Sequence, residues 1–381
     1  MTVGITKERL DGENRVAATP ETVKTFVAKG FTVVVESGAG VASGVDDHAY
    51  EEAGAKIAKD AAAVASQAEM ILRVAPPSAA EVESFKTGTV VVSFLFPGSN
   101  LPVVDKLAQK GVTTFAVELI PRITRAQSMD ALSAMSTIAG YKGALLAANS
   151  LPKFFPMFMT AAGTIPPAKV FVLGAGVAGL QAIATCKRLG AIVEAFDVRP
   201  SVKEQVESLG ARFVALQVDT SELEDASGYA KEVSKDTHEK ELELITQRMT
   251  KNDVVITTAL IPGRPAPVLI TREMVKHMAR GSVIIDLAAP NGGNCEATVA
   301  GKSVEVDGVT VIGPTTLLSE MAADASKMYS KNIAEFVLNL APEGAVKLDM
   351  EDQIIRDTLV THEGKVTHEP TRLAMEKGAK S

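Results

Sequence analysis

The sequence has 381 residues and a mass of 40.0 kDa, which is more than a single hydrophobic core usually serves and favours two domains. Hydrophobic residues make up 46% of the chain and charged residues 22%, and these values exclude wholesale disorder. The formal net charge of -7 argues against nucleic-acid binding, which needs a concentrated basic face.

The N-terminal segment and the cysteines indicate the compartment. Residues Met1–Arg15 are rich in charge where a signal peptide would have an apolar core, and the longest uncharged run, Val170–Cys186, is interrupted by glycines and too short to span a bilayer. Cys186 and Cys295 lie far apart, and the histidines are scattered without metal-ligand spacing. We therefore expect a cytoplasmic chain with no membrane span, no disulfide and no metal site.

The first half of the chain alternates short β-rich runs with helical patterns, which is typical of parallel βαβ units. The predicted strands are Val3–Thr6, Thr32–Glu36, Met70–Val74, Val90–Phe94 and Thr113–Ala116, with helices such as Glu21–Lys29 and Leu101–Lys110 between them. A long helix over Met129–Ala148, followed by a proline-rich segment from Pro152 to Pro167, is interpreted as a domain connection.

Beyond this connection the alternation of predicted strands and helices begins again. The predicted strands are Lys169–Leu173, Ile192–Phe196, Phe213–Ala215, Val254–Thr257, Val283–Asp286 and Thr310–Ile312. A helix from Met321 to Leu340 and a hairpin over Asp357–Val366 follow and are expected to pack back on the first domain. The sequence thus predicts an α/β protein with two doubly wound, Rossmann-like parallel-sheet domains, residues 1–130 with 321–381 and residues 131–320.

A glycine-rich loop follows the first strand of the second domain. The loop reads Gly174-Ala175-Gly176-Val177-Ala178-Gly179, and a helix from Leu180 to Leu189 comes after it. This G-x-G-x-x-G motif lies in its full context, because Asp197 closes the next predicted strand 18 residues after Gly179. Gly174 would permit the tight turn, Gly176 the approach of a pyrophosphate, and Gly179 close packing of helix on strand.

Asp197 selects between the two nicotinamide dinucleotides. A carboxylate accepts hydrogen bonds from a ribose 2′-hydroxyl and repels a 2′-phosphate, so NAD(H) is favoured over NADP(H). Arg199 stands two residues later and is interpreted either as stacking on the adenine or as part of a surface ion pair.

Several motifs resemble the alanine dehydrogenase and transhydrogenase α-subunit family over essentially the whole chain. They are Gly4-Ile-Thr-Lys-Glu8 with Gly12-Glu-Asn-Arg-Val16, Arg122-Ile-Thr-Arg-Ala-Gln-Ser-Met-Asp130, and Thr257-Thr-Ala-Leu-Ile-Pro-Gly263. The second of these, with Gly293-Asn-Cys295, is similar to the NAD(H)-binding domain I of proton-translocating transhydrogenase. In that family, domain I passes hydride from NADH to NADP⁺ on a separate domain III, and membrane domain II couples the transfer to proton movement.

The resemblance implies a soluble homodimer, peripheral on the inner face of the membrane through domains II and III of other chains. It implies that Arg122, Gln127, Asp130 and Tyr229 are catalytic. Gln127 would form a hydrogen bond with the carboxamide or with the facing dihydronicotinamide, and Asp130 would hold Arg122. Together the motif and the resemblance assign nucleotide binding to Arg122, Gln127, Ser128, Asp130, Ser133, Gly174, Ala175, Gly176, Val177, Gly179, Asp197, Val198, Arg199, Gly228, Tyr229 and Leu260.

The two branches of the family need different side chains. An amino-acid dehydrogenase must bind a carboxylate and move protons at its substrate, whereas hydride transfer between two nicotinamides requires no general acid. A gapless reading puts the lysine, the histidine and the catalytic aspartate of alanine dehydrogenase on Ala75, Phe96 and Pro290, and retains only its carboxylate-binding arginine, as Arg15. Arg15 therefore either binds a substrate carboxylate or forms a structural ion pair.

Two segments have a purely structural interpretation as well as a functional one. Residues Asp219–Glu243 are strongly charged and include Gly228 and Tyr229, so they form either a solvated helix and loop or, as the resemblance favours, a lid over the nucleotide. Ser128 and Asp130 are either nicotinamide-site residues or capping groups at the start of a helix.

Three functions remain from the sequence. The leading one is the NAD(H) component of transhydrogenase, with NADP(H) on the partner domain. The others are an alanine-dehydrogenase-like enzyme and a non-catalytic NAD-binding regulatory protein. The absence of acid and base side chains argues against the alanine-dehydrogenase-like enzyme. It does not distinguish the transhydrogenase component from a non-catalytic NAD-binding protein.

Overall fold

The computed structural model describes residues 1–216, 235–261 and 265–378. The chain divides into two compact units, Met1–Met135 with Leu318–Ser381 and Ser136–Leu317. Each unit contains a largely parallel sheet with helices. The predicted α/β class with two doubly wound sheets is confirmed.

The strands in chain order are β1 (Thr2–Ile5), β2 (Thr32–Glu36), β3 (Lys56–Ala58), β4 (Met70–Leu72), β5 (Val90–Ser93), β6 (Thr113–Ala116), β7 (Phe158–Thr160), β8 (Gly163–Ile165), β9 (Lys169–Leu173), β10 (Ile192–Phe196), β11 (Arg212–Val214), β12 (Val254–Thr257), β13 (Val283–Asp286), β14 (Ser303–Val306), β15 (Val309–Ile312), β16 (Leu359–His362) and β17 (Lys365–Val366).

The α-helices in chain order are α1 (Pro20–Ala28), α2 (Asp47–Glu52), α3 (Ala61–Ala65), α4 (Ala79–Ser84), α5 (Leu101–Gln109), α6 (Ala131–Ser150), α7 (Val177–Arg188), α8 (Lys203–Ser208), α9 (Lys235–Met249), α10 (Arg272–Lys276), α11 (Ala322–Leu340), α12 (Gln353–Thr358) and α13 (Glu369–Gly378). Local chemistry explains several of their starts. For example, the Asp60 side chain accepts a hydrogen bond from the amide of Ala63 and caps α3, and Ser78 with Glu81 forms a capping box for α4.

The sheet of the first unit has the order β3-β2-β1-β4-β5-β6-β16-β17 among the described residues. Strands β1 to β6 are parallel, and β16 and β17 add an antiparallel hairpin at the edge next to β6. This is the hairpin predicted over Asp357–Val366. Strand β5 reads Val-Val-Val-Ser and is buried throughout, because helices cover both faces of a parallel sheet.

The sheet of the second unit has the order β11-β10-β9-β12-β13-β15-β14 among the described residues. Strands β9 to β13 and β15 are parallel, and β14 pairs antiparallel with β15. Two apolar cores lie on this sheet, one containing Val170 and Val172 and the other Phe171 and Leu173. Alternate side chains of β9 therefore serve the two opposite faces.

Four features differ from the sequence prediction. Strand β3 and strand β14 were not expected, and the proline-rich segment interpreted as a connection contains the exposed β7–β8 hairpin. A three-residue strand such as β3 is too short to show a period. Strand β14 reads Ser-Val-Glu-Val, and its alternation of polar and apolar residues is a strand signal that the prediction missed. Helix α7 begins at Val177, three residues earlier than the predicted start at Leu180.

Candidate functional site

The second unit has a topological switch point between β9 and β12. Its parallel strands run outward from β9 in one direction through β10 and β11, and in the other through β12, β13 and β15. In open α/β sheets, ligands bind in the crevice outside the carboxyl ends of the strands at this point. The residues that follow the two central strands are Gly174 after β9 and Thr258 after β12.

The glycine loop has the backbone that the motif requires. Gly174 has a φ of +91°, and a Cβ there would lie 2.6 Å from Thr258 Oγ1. A Cβ on Gly179 would lie 1.9 Å from the carbonyl oxygen of Gly174, so only glycine lets helix α7 pack this closely. A Cβ on Gly176 would meet no atom of the described residues within 4 Å. Packing inside the protein therefore does not explain Gly176, the second glycine of the motif.

The start of helix α7 offers backbone donors at this loop. Gly176 is the N-cap residue and has no side chain to accept hydrogen bonds from the first-turn amides. Thr258 Oγ1 donates to the carbonyl oxygens of Leu173 and Gly174 and ties the end of β9 to the loop after β12. The amides at such a helix N-terminus favour an anion.

Asp197 lies directly after β10 and is 8% exposed. Its Oδ2 accepts a hydrogen bond of 2.7 Å from the amide of Ala175 in the glycine loop. The guanidinium of Arg199 is paired with the same carboxylate through Nε and Nη2. Arg199 thus forms an ion pair with Asp197, and its stacking on an adenine stays a prediction.

A second acidic side chain lies close to Asp197. Glu241 on α9 is 4% exposed and pairs with His238 Nδ1 at 3.2 Å. Burial raises the pKa of Glu241, and the negative charge of Asp197 raises it further against the lowering effect of His238. Two carboxylates, Asp197 and Glu241, therefore lie near each other here, paired with Arg199 and His238 respectively.

The segment Arg122–Asp130 lies in the first unit, where residues Thr124–Met129 form a 3₁₀ helix before α6. Arg122, Gln127 and Ser128 are exposed, and Asp130 is half-buried. The Asp130 carboxylate accepts hydrogen bonds from the amide and the hydroxyl of Ser133 at 2.8 and 2.6 Å and so caps α6. The capping interpretation of Asp130 describes its observed contacts.

The comparisons with known proteins cover nearly the whole chain. Residues 4–139 match the N-terminal domain of the alanine dehydrogenase/PNT family, and residues 143–369 match its C-terminal domain. The chain belongs to the alanine dehydrogenase/PNT family.

Within the alanine dehydrogenase/PNT family the chain is most similar to the transhydrogenase branch among the relatives compared. It is 48% identical over 376 residues to an NAD(P) transhydrogenase subunit alpha polypeptide of Rhodospirillum rubrum, covering 97% of this chain and 98% of the relative. It is 30% identical over 380 residues to alanine dehydrogenase of Bacillus subtilis, covering 97% and 93%. The solved structure of transhydrogenase from Sinorhizobium meliloti has a TM-score of 0.85 at 45% identity and covers 97% of this chain and 100% of that one. The resemblance stated from the motifs, and with it the transhydrogenase assignment, is confirmed.

The residues at the substrate-binding and acid–base positions of alanine dehydrogenase include Arg15, Ala75 and Pro290. Arg15 is buried and paired with Glu13, whose carboxylate also accepts from Ser319 Oγ at 3.0 Å. Burial raises the pKa of Glu13, but the hydrogen bond and the charge of Arg15 lower it more. The ion-pair interpretation of Arg15 thus describes its contacts. Ala75 is buried and Pro290 is exposed.

Phe96 has a strained backbone with a side chain that is 45% exposed. Its φ is +45°, in the left-handed region that bulky residues rarely adopt. The carboxylate of Glu118, just after β6, accepts hydrogen bonds from the amides of both Leu95 and Phe96 and holds this turn. Burial raises the pKa of Glu118 to about 7, against the lowering effect of those amides.

At the switch point of the first unit, between β1 and β4, buried charged side chains pair with one another. Arg73 follows β4 and is 1% exposed, with Nη2 3.2 Å from Glu8 Oε2 and Nη1 2.7 Å from Glu81 Oε1. Burial raises the pKa of Glu8, although Arg73 and the amide of Val74 act to lower it. Of the two sheets, the second has the glycine loop at its switch point.

Three contacts that support the Arg122–Asp130 segment were not foreseen from the sequence. Arg125 pairs with Asp352 and with Asn339 Oδ1, and Asn332 Nδ2 donates to the carbonyl oxygen of Ser128 at 2.7 Å. Asn332 and Asn339 lie on α11, about two hundred residues further along the chain. No local motif marks such a contact.

Other predicted site residues are placed as follows. Val177 opens helix α7 and is exposed, Val198 is half-buried after Asp197, and Leu260 is 44% exposed in the segment after β12. Gly228 and Tyr229 lie outside the described residues, and so does most of the predicted lid. Its end, from residue 235, belongs to α9.

Across residues 1–216, 235–261 and 265–378, no helix is both long enough and apolar enough to cross a membrane. The same ranges contain no group of three or more histidine, cysteine, aspartate or glutamate side chains that could hold a metal ion.

Cys186 and Cys295 are buried free thiols, and burial raises their pKa values to about 12 and about 11.

Proposed function

We propose that this chain is the NAD(H)-binding component of a proton-translocating NAD(P) transhydrogenase, which exchanges hydride between NADH and NADP⁺ bound on a partner domain. The observation that carries the proposal is the glycine loop at the β9–β12 switch point, with Asp197 at the end of β10, in a chain similar over its length to transhydrogenase alpha subunits. Residues 131–320 are then the NAD(H)-binding domain.

The second unit suits a dinucleotide in three ways. The uncapped amides of α7 and the open side of Gly176 suit a pyrophosphate, since a ligand explains the one glycine that internal packing does not. Asp197 supplies an acceptor for ribose hydroxyls, and its negative charge disfavours a 2′-phosphate. NAD(H) is therefore the proposed cofactor of this chain, and NADP(H) that of the partner. The proposed binding residues are Ser133, Gly174, Ala175, Gly176, Val177, Gly179, Asp197, Val198, Arg199, Gly228, Tyr229 and Leu260, with Arg122, Gln127, Ser128 and Asp130.

NADH, when bound, supplies a hydride from its C4 atom, and no proton moves to a substrate heteroatom. The protein's task is therefore to orient the nicotinamide and to exclude water, so that the two C4 atoms approach to about 3 to 3.5 Å. We assign orientation to Arg122, Gln127 and Asp130 and closure to Tyr229. This division agrees with Ala75, Phe96 and Pro290 at the positions where an alanine dehydrogenase has its acid and base groups.

The proposed reaction needs a second nucleotide site and a proton path, which we assign to partner chains. A homodimer of this chain would dock on the NADP(H)-binding domain III and the membrane domain II, peripheral on the cytoplasmic face. Arg122, Gln127 and Asp130 are proposed to lie at the docking cleft, and the side chains of Arg122 and Gln127 are exposed.

The test is a cyclic assay with NADH, an NADP(H)-binding partner domain and an NAD analogue. We expect the purified chain to bind NADH in preference to NADPH, and to exchange hydride rapidly only when the partner domain is added. Gln127→Asn should slow the exchange, and Tyr229→Phe or Gly228→Pro should weaken NADH binding without unfolding the chain.

Two outcomes would contradict the proposal. Efficient reduction of pyruvate with ammonia by the chain alone would indicate an amino-acid dehydrogenase. NADH binding without exchange under any partner condition would indicate a non-catalytic NAD-binding protein.

A further inference from the structure

A buried carboxylate organises the loop after β13. Asp286, the last residue of β13, is completely buried. Its Oδ1 accepts from Thr257 Oγ1 at 2.9 Å and the Ala288 amide at 3.0 Å, and its Oδ2 accepts from the Asn294 amide at 2.8 Å, the Cys295 amide at 3.0 Å and Thr298 Oγ1 at 2.6 Å. These donors compensate the loss of hydration of the charge.

This carboxylate fixes the position of Asn294, which is also completely buried. The side-chain amide of Asn294 binds the backbone of another loop. Its Oδ1 accepts from the amide of Ala259 at 3.0 Å, and its Nδ2 donates to the carbonyl oxygens of Ala259 at 2.9 Å and Pro267 at 2.8 Å. One side chain thus holds both ends of the segment 259–267, of which residues 259–261 and 265–267 are described.

The held segment lies at the proposed nucleotide site. Ala259 follows Thr258, and Thr258 Oγ1 donates to the carbonyl oxygens of Leu173 and Gly174 at the start of the glycine loop. A continuous set of hydrogen bonds therefore runs from Asp286 through Asn294 to the segment facing Gly174. The side-chain amide of Asn294 is occupied by these backbone groups, so its action on a ligand is indirect.

We propose that Asp286 and Asn294 are positioning residues that hold the segment after β12 in the conformation that binds the dinucleotide. The proposal rests on the function proposed above and adds two residues to it. Hydrogen-bonded supporting residues of this kind set the precision of a binding site when the segment they hold is otherwise a loop.

Asn252 is a matched control for Asn294. It is also a buried asparagine of the second unit, and its Nδ2 donates to Glu194 Oε1 at 3.0 Å and to the carbonyl oxygen of Arg248 at 2.9 Å. It precedes β12, so it lies at the end of the strand opposite to the switch point. Replacing either asparagine side chain by alanine removes buried hydrogen bonds, but only Asn294 is connected to the glycine loop.

The experiment compares Asn294→Ala, Asn252→Ala and the milder Thr298→Val in the full chain. Three quantities are measured: the free energy of unfolding in denaturant, the Kd for NADH from its fluorescence, and hydrogen exchange of a peptide covering residues 255–261 without nucleotide. We expect both alanine variants to lose stability, whereas only Asn294→Ala weakens NADH binding, by about tenfold, and accelerates exchange in that peptide. Thr298→Val, which removes one donor to Asp286 and keeps the volume, should weaken binding about threefold.

The outcomes separate this proposal from the proposed function. Wild-type affinity for NADH in Asn294→Ala, or an equal loss of affinity in Asn252→Ala, would overturn the positioning role. Unchanged exchange at residues 255–261 in both Asn294→Ala and Thr298→Val would also overturn it. Failure of the wild-type chain to bind NADH would instead contradict the proposed function, and the exchange measurement would still decide whether Asn294 holds the segment.

Discussion

The guanidinium of Arg199 donates two hydrogen bonds to the carboxylate of Asp197, from Nε to Oδ1 at 2.9 Å and from Nη2 to Oδ2 at 2.8 Å. The amide of Ala175 donates to the same Oδ2 at 2.7 Å. The residue proposed to recognise the ribose is thus already bound by a cation and by the glycine loop. Asp197 and Arg199 act in opposite directions on a 2′-phosphate, because one repels it and the other attracts it.

Asp197→Asn should reduce the preference for NADH over NADPH by about tenfold or more. The change removes the negative charge that repels a 2′-phosphate and weakens the acceptor for the ribose hydroxyls, so NADH binding weakens while NADPH binding does not. Calorimetric titration with both reduced cofactors measures the ratio. An unchanged ratio would show that Asp197 does not select the cofactor.

Arg199→Ala should change the same ratio in the opposite direction, increasing the preference for NADH by about fivefold. Without the guanidinium, the charge of Asp197 is no longer compensated and repels a 2′-phosphate more strongly. The measurement is the same titration, repeated at higher salt, where the difference from the wild type should shrink. Improved NADPH binding in this variant would contradict the argument.

Gly176→Ala should weaken NADH binding about tenfold or more and lower the free energy of unfolding by no more than about 1 kcal/mol, the cost of alanine at a helix N-cap. The added methyl meets no atom of the described residues within 4 Å, yet it would project where the pyrophosphate is proposed to approach.

Gly179→Ala is the matched comparison, because its methyl would lie 1.9 Å from the carbonyl oxygen of Gly174. It should reduce both stability and binding. Denaturant unfolding and NADH fluorescence together distinguish the two variants, and full NADH affinity in Gly176→Ala would place the pyrophosphate elsewhere.

Glu118→Gln should alter the pH dependence of stability. The pKa of Glu118 is raised to about 7 in the folded chain, so between its unfolded value of about 4.5 and 7 the folded state binds more protons than the unfolded state. This carboxyl group therefore makes the wild type less stable as the pH rises through that window. Glutamine does not ionise, so the Glu118→Gln variant lacks this contribution to the pH dependence of stability.

We expect the stability of Glu118→Gln relative to the wild type to increase by about 1 to 2 kcal/mol from pH 5.5 to pH 8. Denaturant unfolding at the two pH values measures the change. Glu83→Gln is a control, since Glu83 is an exposed carboxylate of the same unit whose pKa is lowered by Lys106 rather than raised. A parallel pH dependence in Glu118→Gln and the wild type would rule out the raised pKa.

Much of the fold follows from local patterns in the sequence. The apolar run Lys169–Leu173, the glycine loop and the helix after it are adjacent in the chain, and each element depends on the preferences of its own residues. Asp197 was predictable for the same reason, because it stands at a regular distance from that loop. Strand β3 was missed because three residues cannot display a period.

Other contacts join residues that are distant in the chain. Asn294 binds Ala259 across 35 residues, Glu118 holds Leu95 across 23, and Asn332 contacts Ser128 across 204. Such pairs depend on which strands become neighbours and on where their carboxyl ends meet, and a sequence pattern carries no record of that order. The sequence by itself determined the two α/β sheets, the glycine loop and the acidic residue beside it. Only the tertiary structure decided that Arg199 shares the carboxylate of Asp197 and that buried Asp286 and Asn294 hold the segment facing the loop, because hydrogen bonds of buried polar groups form with whatever the fold brings within reach.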